Sequence, residues 1–218
     1  MSAAKPITIY GIHGPNAGKV ILLCEELNIP YEPVPIPLTD VKRPDYVAIN
    51  PNGRLPSIKD PNTGLTLWES GAIIEYLTET YDKDLKLSFE PGTELGYHAR
   101  QWLYYQTTGQ GPYFGQAMWF IIYQQIPEAR ARYVKEVNRV TAVLEGHLEK
   151  QRPDVEGNVW FLGGKMSFVD IAFFTWQNTA APRIPDDEFD MAKYPVMNKW
   201  MGVMLERENV KKLLKMQE

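Results

Sequence analysis

The chain has 218 residues, 44% of them hydrophobic, and 23 basic against 27 acidic side chains give it a formal net charge of -4. This length and apolar content allow one large domain or two small ones with proper cores. Lys and Arg form no basic stripe, so we expect no nucleic-acid partner. No apolar run approaches the length of a membrane span or a signal peptide, which favours a cytoplasmic protein with no membrane partner.

Short strand and helix signals alternate in the N-terminal part of the chain. ITIY, from Ile7 to Tyr10, predicts a strand, and apolar residues then recur at helical spacing from Val20 to Leu27. Prolines at 33, 35 and 37 place the next extended segment at a sheet edge, because their missing N–H groups lie on one side. The turn DPNTG joins two further strands, and a helix follows from Gly71 to Tyr81 with Ser70 as its cap. The predicted order, β-α-β-α-β-β-α, is that of an α+β domain.

After Pro91 the strand signals end and the pattern predicts an all-helical domain. The charged segment YDKDLKLSFEPG suits a linker, so the predicted domains are residues 1–84 and 92–218. Ser167 and Asp170 have the spacing of a capping box, whose role is in folding. The helical patterns run from about Thr93 to Gln116, Pro127 to Lys150, Ser167 to Thr179 and Pro195 to Leu214.

The glycine-rich turn GPNAGK follows the first strand and has some features of a phosphate cradle. A Walker-type loop needs a glycine where His13 stands and a magnesium-binding hydroxyl where Val20 stands, so this interpretation fails. Asn16 is the functional group left in the turn. It is either the cap of the following helix or a hydrogen-bond donor to a ligand.

Two further segments, NPNGRLPSI and LWESGAI, offer groups to a ligand. Leu55-Pro56 is a candidate cis peptide that would leave the Leu55 backbone open to pair with a ligand's own backbone. Glu69 and Ser70 stand at a strand-to-helix corner, where helix N–H groups and the hydroxyl favour a carboxylate and Glu69 favours an amine. The corner suits the end of an α-amino acid. A helix start with a favourable acidic residue is the plainer alternative.

Together, PNAGKV, INPNGRLPSI and LWESGAIIEYL resemble the N-terminal thioredoxin-fold domain of the glutathione transferases. The resemblance is greatest to the fungal nitrogen-regulator-like class and its bacterial nu-class relatives. It continues through WLYYQTTG, GQA and VWFLGGKMSFVDIAF, so it covers nearly the whole chain. It implies a thioredoxin-like domain followed by an all-α domain, and a homodimer in which the N-terminal domain of one chain packs against the helical domain of the other.

The resemblance also implies glutathione as co-substrate. The contacts that it implies are Glu69 and Ser70 for the γ-glutamyl end, the Leu55 backbone for the cysteinyl amide with Arg54 nearby, and Asn16 for the thiol. Many relatives carry Tyr, Ser or Cys near this turn, whereas this chain has Asn16 there. We therefore expect the thiol to be activated differently. Relatives often use a histidine for the glycine carboxylate, whereas this chain reads DVKRPDYV, and we expect Lys42 to take that role.

Asparagine is no base, and its NH2 group can only donate a hydrogen bond to a thiolate. A hydrogen bond to a charged group contributes about 1.5 to 3 kcal/mol, so the thiol pKa would fall by roughly one to two units. The thiolate fraction at neutral pH would then rise about tenfold.

The aromatic segment QWLYYQTTGQGPYFGQAMWFIIY is expected to be mostly core. Family geometry nevertheless implies that Phe114, Met118 or Trp119 faces the glutathione sulfur as an apolar wall for the second substrate. The three histidines lack metal-ligand spacing, so we expect no metal. Cys24 is the single cysteine, which excludes an internal disulfide, and we expect it to be a packing residue.

Two functions remain open at this point. The favoured one is a transferase that directs the glutathione thiolate at a small hydrophobic electrophile, a peroxide or a mixed disulfide. The alternative is a glutathione-binding regulatory or ligand-carrying protein with little catalytic activity. The regulatory relative carries an Asn-rich extension ahead of its fold, whereas ITIY lies near the start of this sequence, so we expect the enzyme.

Overall fold

A computed structural model describes residues 4–218 and divides them into two compact units. The first unit comprises the described residues up to Leu87 together with Glu208–Glu218, and the second is Ser88–Arg207. The predicted boundaries of 1–84 and 92–218 therefore differ from the structure at the C-terminal helix. That helix packs against the first helix of the chain, and its Lys212 forms an ion pair with Glu25 at 2.7 Å.

The first unit is a mixed four-stranded sheet with helices, in the predicted order. Its strands follow the spatial order β2-β1-β3-β4, in which β1 is parallel to β2 and antiparallel to β3. The strand with the prolines, β2, lies at the edge as expected, because proline cannot donate to a ladder. The elements are β1 (Ile7–Tyr10), α1 (Pro15–Leu27), β2 (Tyr31–Val34), α2 (Pro44–Val47), β3 (Ser57–Lys59), β4 (Thr66–Trp68) and α3 (Ser70–Tyr81).

The core of this unit lies between the sheet and the pair α1 and α3. Ile7, Ile9 and Ile58 point into it from the sheet, and α1 packs against α3. Cys24 is fully buried there. This burial, and to a smaller extent the nearby Glu25 carboxylate, raises the pKa of its thiol to about 12. The thiol is therefore a packing group, as predicted.

The regular elements of the second unit are helices, and a loop carries one isolated bridge. The predicted helical stretch from about Thr93 to Gln116 is helical in the structure, although a π-helical turn at Gln106–Gln110 divides it into two α-helices. The pattern from Pro195 to Leu214 is likewise two helices with a break after Leu205. The helices are α4 (Glu94–Tyr105), α5 (Gly111–Ile122), α6 (Pro127–Leu148), α7 (Phe168–Ala180) and α8 (Pro195–Leu205), and α9 (Glu208–Gln217) belongs to the first unit.

The predicted capping box at the start of α7 is present. The Ser167 hydroxyl accepts from the Val169 N–H at 3.3 Å, and the Asp170 carboxylate accepts from the Ser167 N–H at 2.9 Å. Asp170 also accepts from the Phe161 N–H and from the Trp200 indole. It thus joins three segments of the second unit, which supports the predicted folding role. Within residues 4–218, none of the helices has the length and apolar character that crossing a membrane requires.

Candidate functional site

The glycine-rich turn between β1 and α1 lies against the loop that precedes β3. Gly11 has a φ of +98°, and its N–H donates to the Val34 carbonyl at 2.9 Å. A Cβ on Gly11 would stand 3.0 Å from the Cβ of Leu55, a contact so tight that Leu55 would have to shift. Glycine at this position therefore allows both the left-handed turn and the close approach of Leu55.

Asn16 lies inside the first turn of α1 and does not cap it. The N-cap is Gly14, with a φ of 88° and no side-chain cap hydrogen bond, and Pro15 is the first helical residue. The expectation that Asn16 caps the helix is therefore wrong. Gly14 takes the cap because its positive φ is free of Cβ strain, which leaves the partly exposed Asn16 side chain beside the helix N-terminus.

Gln217, on α9, is bound to the same turn and was not identified from the sequence. Its side-chain amide donates to the Ile12 carbonyl at 2.7 Å and to the Gly14 carbonyl at 3.2 Å. The turn that carries Asn16 is thus held from the far end of the chain. No sequence signal points to this contact, because it joins positions more than 200 residues apart.

The segment NPNGR forms a compact turn whose centre is the Arg54 carbonyl. That oxygen accepts from the Asn50 amide and from the Tyr46 hydroxyl, each at 2.7 Å. The Lys42 ammonium donates to the Asn52 carbonyl at 2.7 Å, which holds it against this turn. Lys42 and the exposed Arg54 side chain are therefore brought to the same loop, as the proposed contacts with glutathione require.

Leu55 leads from this turn into β3. The Leu55-Pro56 peptide is cis, as predicted. The ladder with β1 and β4 begins two residues later, at Ser57, so Leu55 itself lies outside the paired sheet. This position is compatible with the predicted pairing of the Leu55 backbone with a ligand.

The corner between β4 and α3 is formed by Glu69 and Ser70. Glu69 is the N-cap, with a φ of 70° and no side-chain cap hydrogen bond, and Ser70 is the first helical residue. The expectation that Ser70 caps this helix is wrong, because helical geometry begins at Ser70 itself. Consequently the first N–H groups of α3 and the Ser70 hydroxyl open at the same corner, beside the Glu69 carboxylate.

Lys19 reaches this corner from α1 and is the second site residue that sequence reasoning missed. It is 1% exposed, and its ammonium donates to the Ser70 hydroxyl oxygen at 3.1 Å. Burial lowers the pKa of this ammonium to about 7, and the Glu69 carboxylate opposes part of the shift. The sequence did not indicate that Lys19 would be buried at this corner, because a lysine just before an apolar helical run is ordinarily exposed.

The structure thus brings three predicted segments together in the first unit. The contact of Gly11 with Leu55 joins the turn of Asn16 to the loop before β3, and the bond from Lys19 to Ser70 joins α1 to the corner. The assembled groups are hydrogen-bond donors at the N-terminus of α3, the backbone of Leu55 outside the paired sheet, and the Glu69 carboxylate. This set can bind a short peptide that carries both an ammonium and a carboxylate at one end.

The three residues predicted for a substrate wall lie on α5 in the second unit and differ in exposure. Phe114 has no exposed surface, Met118 is 7% exposed and Trp119 is 48% exposed. Phe114 is therefore a core residue, and its predicted place on the wall is wrong. Trp119 is the one that presents a substantial aromatic surface.

Among residues 4–218, no group of His, Cys, Asp and Glu side chains is arranged to hold a metal ion.

Comparison with known proteins gives consistent matches over both units. Residues 9–85 match the family described as glutathione S-transferase, N-terminal domain, and residues 112–208 match glutathione S-transferase, C-terminal domain. The glutathione S-transferase-like protein tpcF of Aspergillus fumigatus is 50% identical over 216 residues, which cover 97% of this chain and 96% of that protein.

Solved structures agree with the sequence matches. The glutathione transferase URE2P6 of Phanerochaete chrysosporium, in complex with oxidized glutathione, is 40% identical with a TM-score of 0.89, covering 100% of this chain and 98% of that one. A structure of Ure2p in complex with glutathione is 30% identical with a TM-score of 0.86, and the match covers 99% of this chain and 96% of that one. The predicted fold, a thioredoxin-like domain followed by a helical one, is confirmed.

Proposed function

Because the chain belongs to the glutathione S-transferase family, we propose that it binds glutathione at the first unit and activates the thiol for attack on an electrophile, a peroxide or a mixed disulfide. The observation that carries the proposal is the convergence of Asn16, the Leu55 loop and the Glu69-Ser70 corner. Glutathione bound to the related structures supports the choice of ligand.

The γ-glutamyl end of glutathione fits the corner between β4 and α3. Its α-carboxylate accepts from the Ser70 hydroxyl and from the first N–H groups of α3, where the helix dipole also favours negative charge. Its α-ammonium pairs with Glu69. These contacts fix one end of the tripeptide and determine most of the affinity.

The rest of the tripeptide runs past the loop before β3 toward α1. The cysteinyl amide pairs with the Leu55 backbone in the manner of an added strand. The glycine carboxylate lies toward Lys42, whose ammonium is held at the NPNGR turn, with Arg54 near it. This direction brings the thiol toward the turn of Asn16.

Asn16 stabilises the thiolate by donating a hydrogen bond from its side-chain amide. The N-terminus of α1 adds a favourable dipole, because Asn16 lies in the first turn of a 13-residue helix. The amide removes no proton, so the thiol proton passes to solvent, and the thiolate then attacks the second substrate.

Turnover assays test this function directly. We expect rates above the uncatalysed background with at least one of a halonitrobenzene, cumene hydroperoxide and a glutathionylated disulfide. Calorimetric titration with glutathione in parallel separates binding from catalysis. Binding with background rates for all three compounds would contradict the enzyme and support the regulatory or carrier alternative.

Three further predictions remain: the homodimer, the cytoplasmic location and a substrate wall at Met118 and Trp119. Light scattering tests the homodimer.

A further inference from the structure

We propose that Lys19 is a positioning residue for the γ-glutamyl carboxylate of glutathione, which it serves by fixing the Ser70 hydroxyl as a donor and by placing a positive charge behind it. This inference rests on the proposed function, since it assigns a role within the same binding corner. It is carried by the contact of the Lys19 ammonium with the Ser70 hydroxyl and by the burial of the lysine.

The position of Lys19 in the fold is one that packing alone would give to an apolar residue. It is followed by the fully buried run Val20, Ile21, Leu22 and Leu23 of α1, and it is itself only 1% exposed. Lysine is almost never buried to this degree without an anionic or hydrogen-bonding partner, because the ammonium loses its hydration. One partner that the fold supplies, the Ser70 hydroxyl, lies at the corner where the ligand carboxylate is expected.

The direction of the hydrogen bond determines what Ser70 can offer to a ligand. An ammonium has only donors, so in this pair, at 3.1 Å, the serine oxygen must be the acceptor. A hydroxyl has one hydrogen, which is then available to be donated elsewhere. Lys19 thereby orients Ser70 to donate toward a carboxylate at the N-terminus of α3.

The charged groups around Lys19 favour a ligand that brings a carboxylate. Glu69, at the N-cap of α3, is the acidic group that acts on the Lys19 ammonium. On α1, the Glu25 carboxylate is engaged by Lys212 of α9 and by Tyr31 of β2, and the buried Glu26 lies about two helical turns beyond Lys19. On α9, Glu208 pairs with Lys211, and β1 carries Tyr10 as its titratable residue. A ligand carboxylate at this corner adds a negative charge beside the Ser70 hydroxyl to which Lys19 donates.

Proton uptake on binding is the consequence that a merely structural lysine would not produce. Burial brings the pKa of Lys19 to about 7 in the absence of ligand, so at about pH 8 the amine is largely neutral. A carboxylate placed next to it raises this pKa, and the protein then binds a proton together with the ligand. Affinity should therefore be highest below about pH 7 and decrease as the pH rises above that value.

The measurement is calorimetry with S-methylglutathione, whose blocked thiol removes the proton that glutathione itself would release. Titrations at about pH 8 in phosphate and in Tris, which differ in ionisation enthalpy, give the number of protons taken up. We expect uptake of about half a proton in the wild type, in keeping with a pKa that rises by about one unit on binding. We expect the affinity for S-methylglutathione to fall roughly tenfold between about pH 6 and pH 9.

Lys19→Met keeps the length and apolar character of the side chain and removes its charge. We expect it to weaken binding about thirtyfold near pH 6 and to abolish the proton uptake. Lys83→Met is the matched control, because Lys83 is exposed just after the end of α3 and its ammonium donates to the carbonyl of Glu79 on that helix. This control should keep wild-type affinity and proton uptake.

The stability of the variant provides a second, independent readout. A lysine whose pKa is lower in the folded than in the unfolded state destabilises the fold at low pH, and this effect decreases as the pH rises from about 7 to 10.5. Lys19→Met should therefore be at least as stable as the wild type near pH 6, although it binds less well. A loss of stability together with unchanged affinity would overturn the inference.

The outcomes distinguish failure of this inference from failure of the proposed function. If S-methylglutathione and glutathione both fail to bind the wild type, the proposed function is wrong and the inference with it. If both bind, but without proton uptake and with Lys19→Met equal to wild type, only the role of Lys19 is contradicted. Uptake that persists unchanged in Lys19→Met would assign the proton to another group and would also contradict it.

Discussion

Both units of this chain bury charged side chains, and two of these, Asp170 and Lys19, differ in what surrounds the charge. Asp170 in the second unit accepts hydrogen bonds from the Ser167 and Phe161 N–H groups and from the Trp200 indole. Lys19 in the first unit donates to Ser70 and lies near Glu69, the two residues proposed to bind the ligand. Burial raises the pKa of Asp170 to about 6 and lowers that of Lys19 to about 7.

The difference shows how a buried charge in a folding determinant can be told from one at a binding site. The donors to Asp170 come from the scaffold itself, and their number keeps the carboxylate ionised at neutral pH despite its burial. The partners of Lys19 at the corner are groups that can rearrange toward an incoming ligand. Asp170 should therefore control stability, and the corner should control affinity.

Asp170→Ala should produce the largest effect and should act on stability alone. It removes the acceptor of four donors in the interior of the second unit: the Phe161 and Ser167 N–H groups, the Ser167 hydroxyl and the Trp200 indole. Each such donor costs about 1 to 3 kcal/mol, so we expect the free energy of unfolding to fall by about 3 kcal/mol, measured by urea denaturation. S-methylglutathione affinity of the folded protein should stay within about twofold of wild type, since the change creates no new contact at the first unit. A large loss of affinity in the folded variant would break the contrast between the two units.

Glu69→Gln and Ser70→Ala should show the opposite pattern. Each removes one partner of a charged contact at the corner, which commonly costs about 2 kcal/mol or more in binding, or roughly thirtyfold in the dissociation constant. Calorimetry measures the affinity and thermal denaturation the stability. Glu69→Gln should change stability little, because this side chain makes no cap hydrogen bond to α3, whereas Ser70→Ala also removes an acceptor of the buried Lys19 ammonium and should lower stability by about 1 kcal/mol. Thr93→Ala provides a matched control, since Thr93 does accept a cap bond at the start of α4, in the other unit. Unchanged affinity in both corner variants would remove this corner from the site.

Much of the first unit could be predicted from the sequence because its signals are local. The strand ITIY, the prolines of β2 and the turn DPNTG each impose backbone geometry on their own segment, and the order of elements followed from them. The functional segments carried local signals too, namely a Pro after Leu55 and an acidic residue at a helix start. The caps were misassigned by one or two residues, because φ at Gly14 and Glu69 decides them and the side-chain preferences do not.

Contacts between distant segments could not be predicted. Nothing in GPNAGK indicates that Lys19 turns inward to Ser70, 51 residues away, since the same letters also fit an exposed lysine. The π-helical turn at Gln106–Gln110 was missed for a related reason. Within this turn the buried Gln106 amide donates to the Gln110 side-chain oxygen, and the Gln110 amide donates to the Phe173 carbonyl, each at 3.1 Å. The apolar periodicity of the sequence carries no information about such tertiary contacts.

Asn16→Ala should affect chemistry more than binding, and so separates the two roles within the first unit. The contacts at Glu69, Ser70 and Leu55 remain, so we expect glutathione affinity within about threefold of wild type. Loss of a donor to the thiolate should raise the bound thiol pKa by about one unit and lower kcat/KM roughly tenfold at neutral pH. Ultraviolet thiolate absorbance followed against pH in the bound complex measures the pKa directly.

Asn16→Asp is the sharper companion to that variant. It keeps the size of the side chain but replaces the donor with a carboxylate, so the thiol pKa should rise at least as far as in Asn16→Ala. Part of the lost turnover should return in both variants at alkaline pH, where the thiol ionises unaided. An unshifted titration together with normal turnover in both would assign thiolate stabilisation to the backbone N–H groups of the turn.

Gln217→Ala should produce the smallest effect and tests whether α9 contributes to the site or only to packing. The variant loses two hydrogen bonds to the carbonyls of Ile12 and Gly14, so the turn that carries Asn16 becomes less well fixed. Since misplacement of a catalytic group lowers the rate without removing binding contacts, we expect about a threefold lower kcat/KM with unchanged glutathione affinity. Lys212→Ala is the matched control, because it breaks the ion pair of α9 with Glu25 and touches neither carbonyl. Equal losses in the two variants would mean that the turn depends on the general attachment of α9, whereas a loss confined to Gln217→Ala would place this amide among the groups that position Asn16.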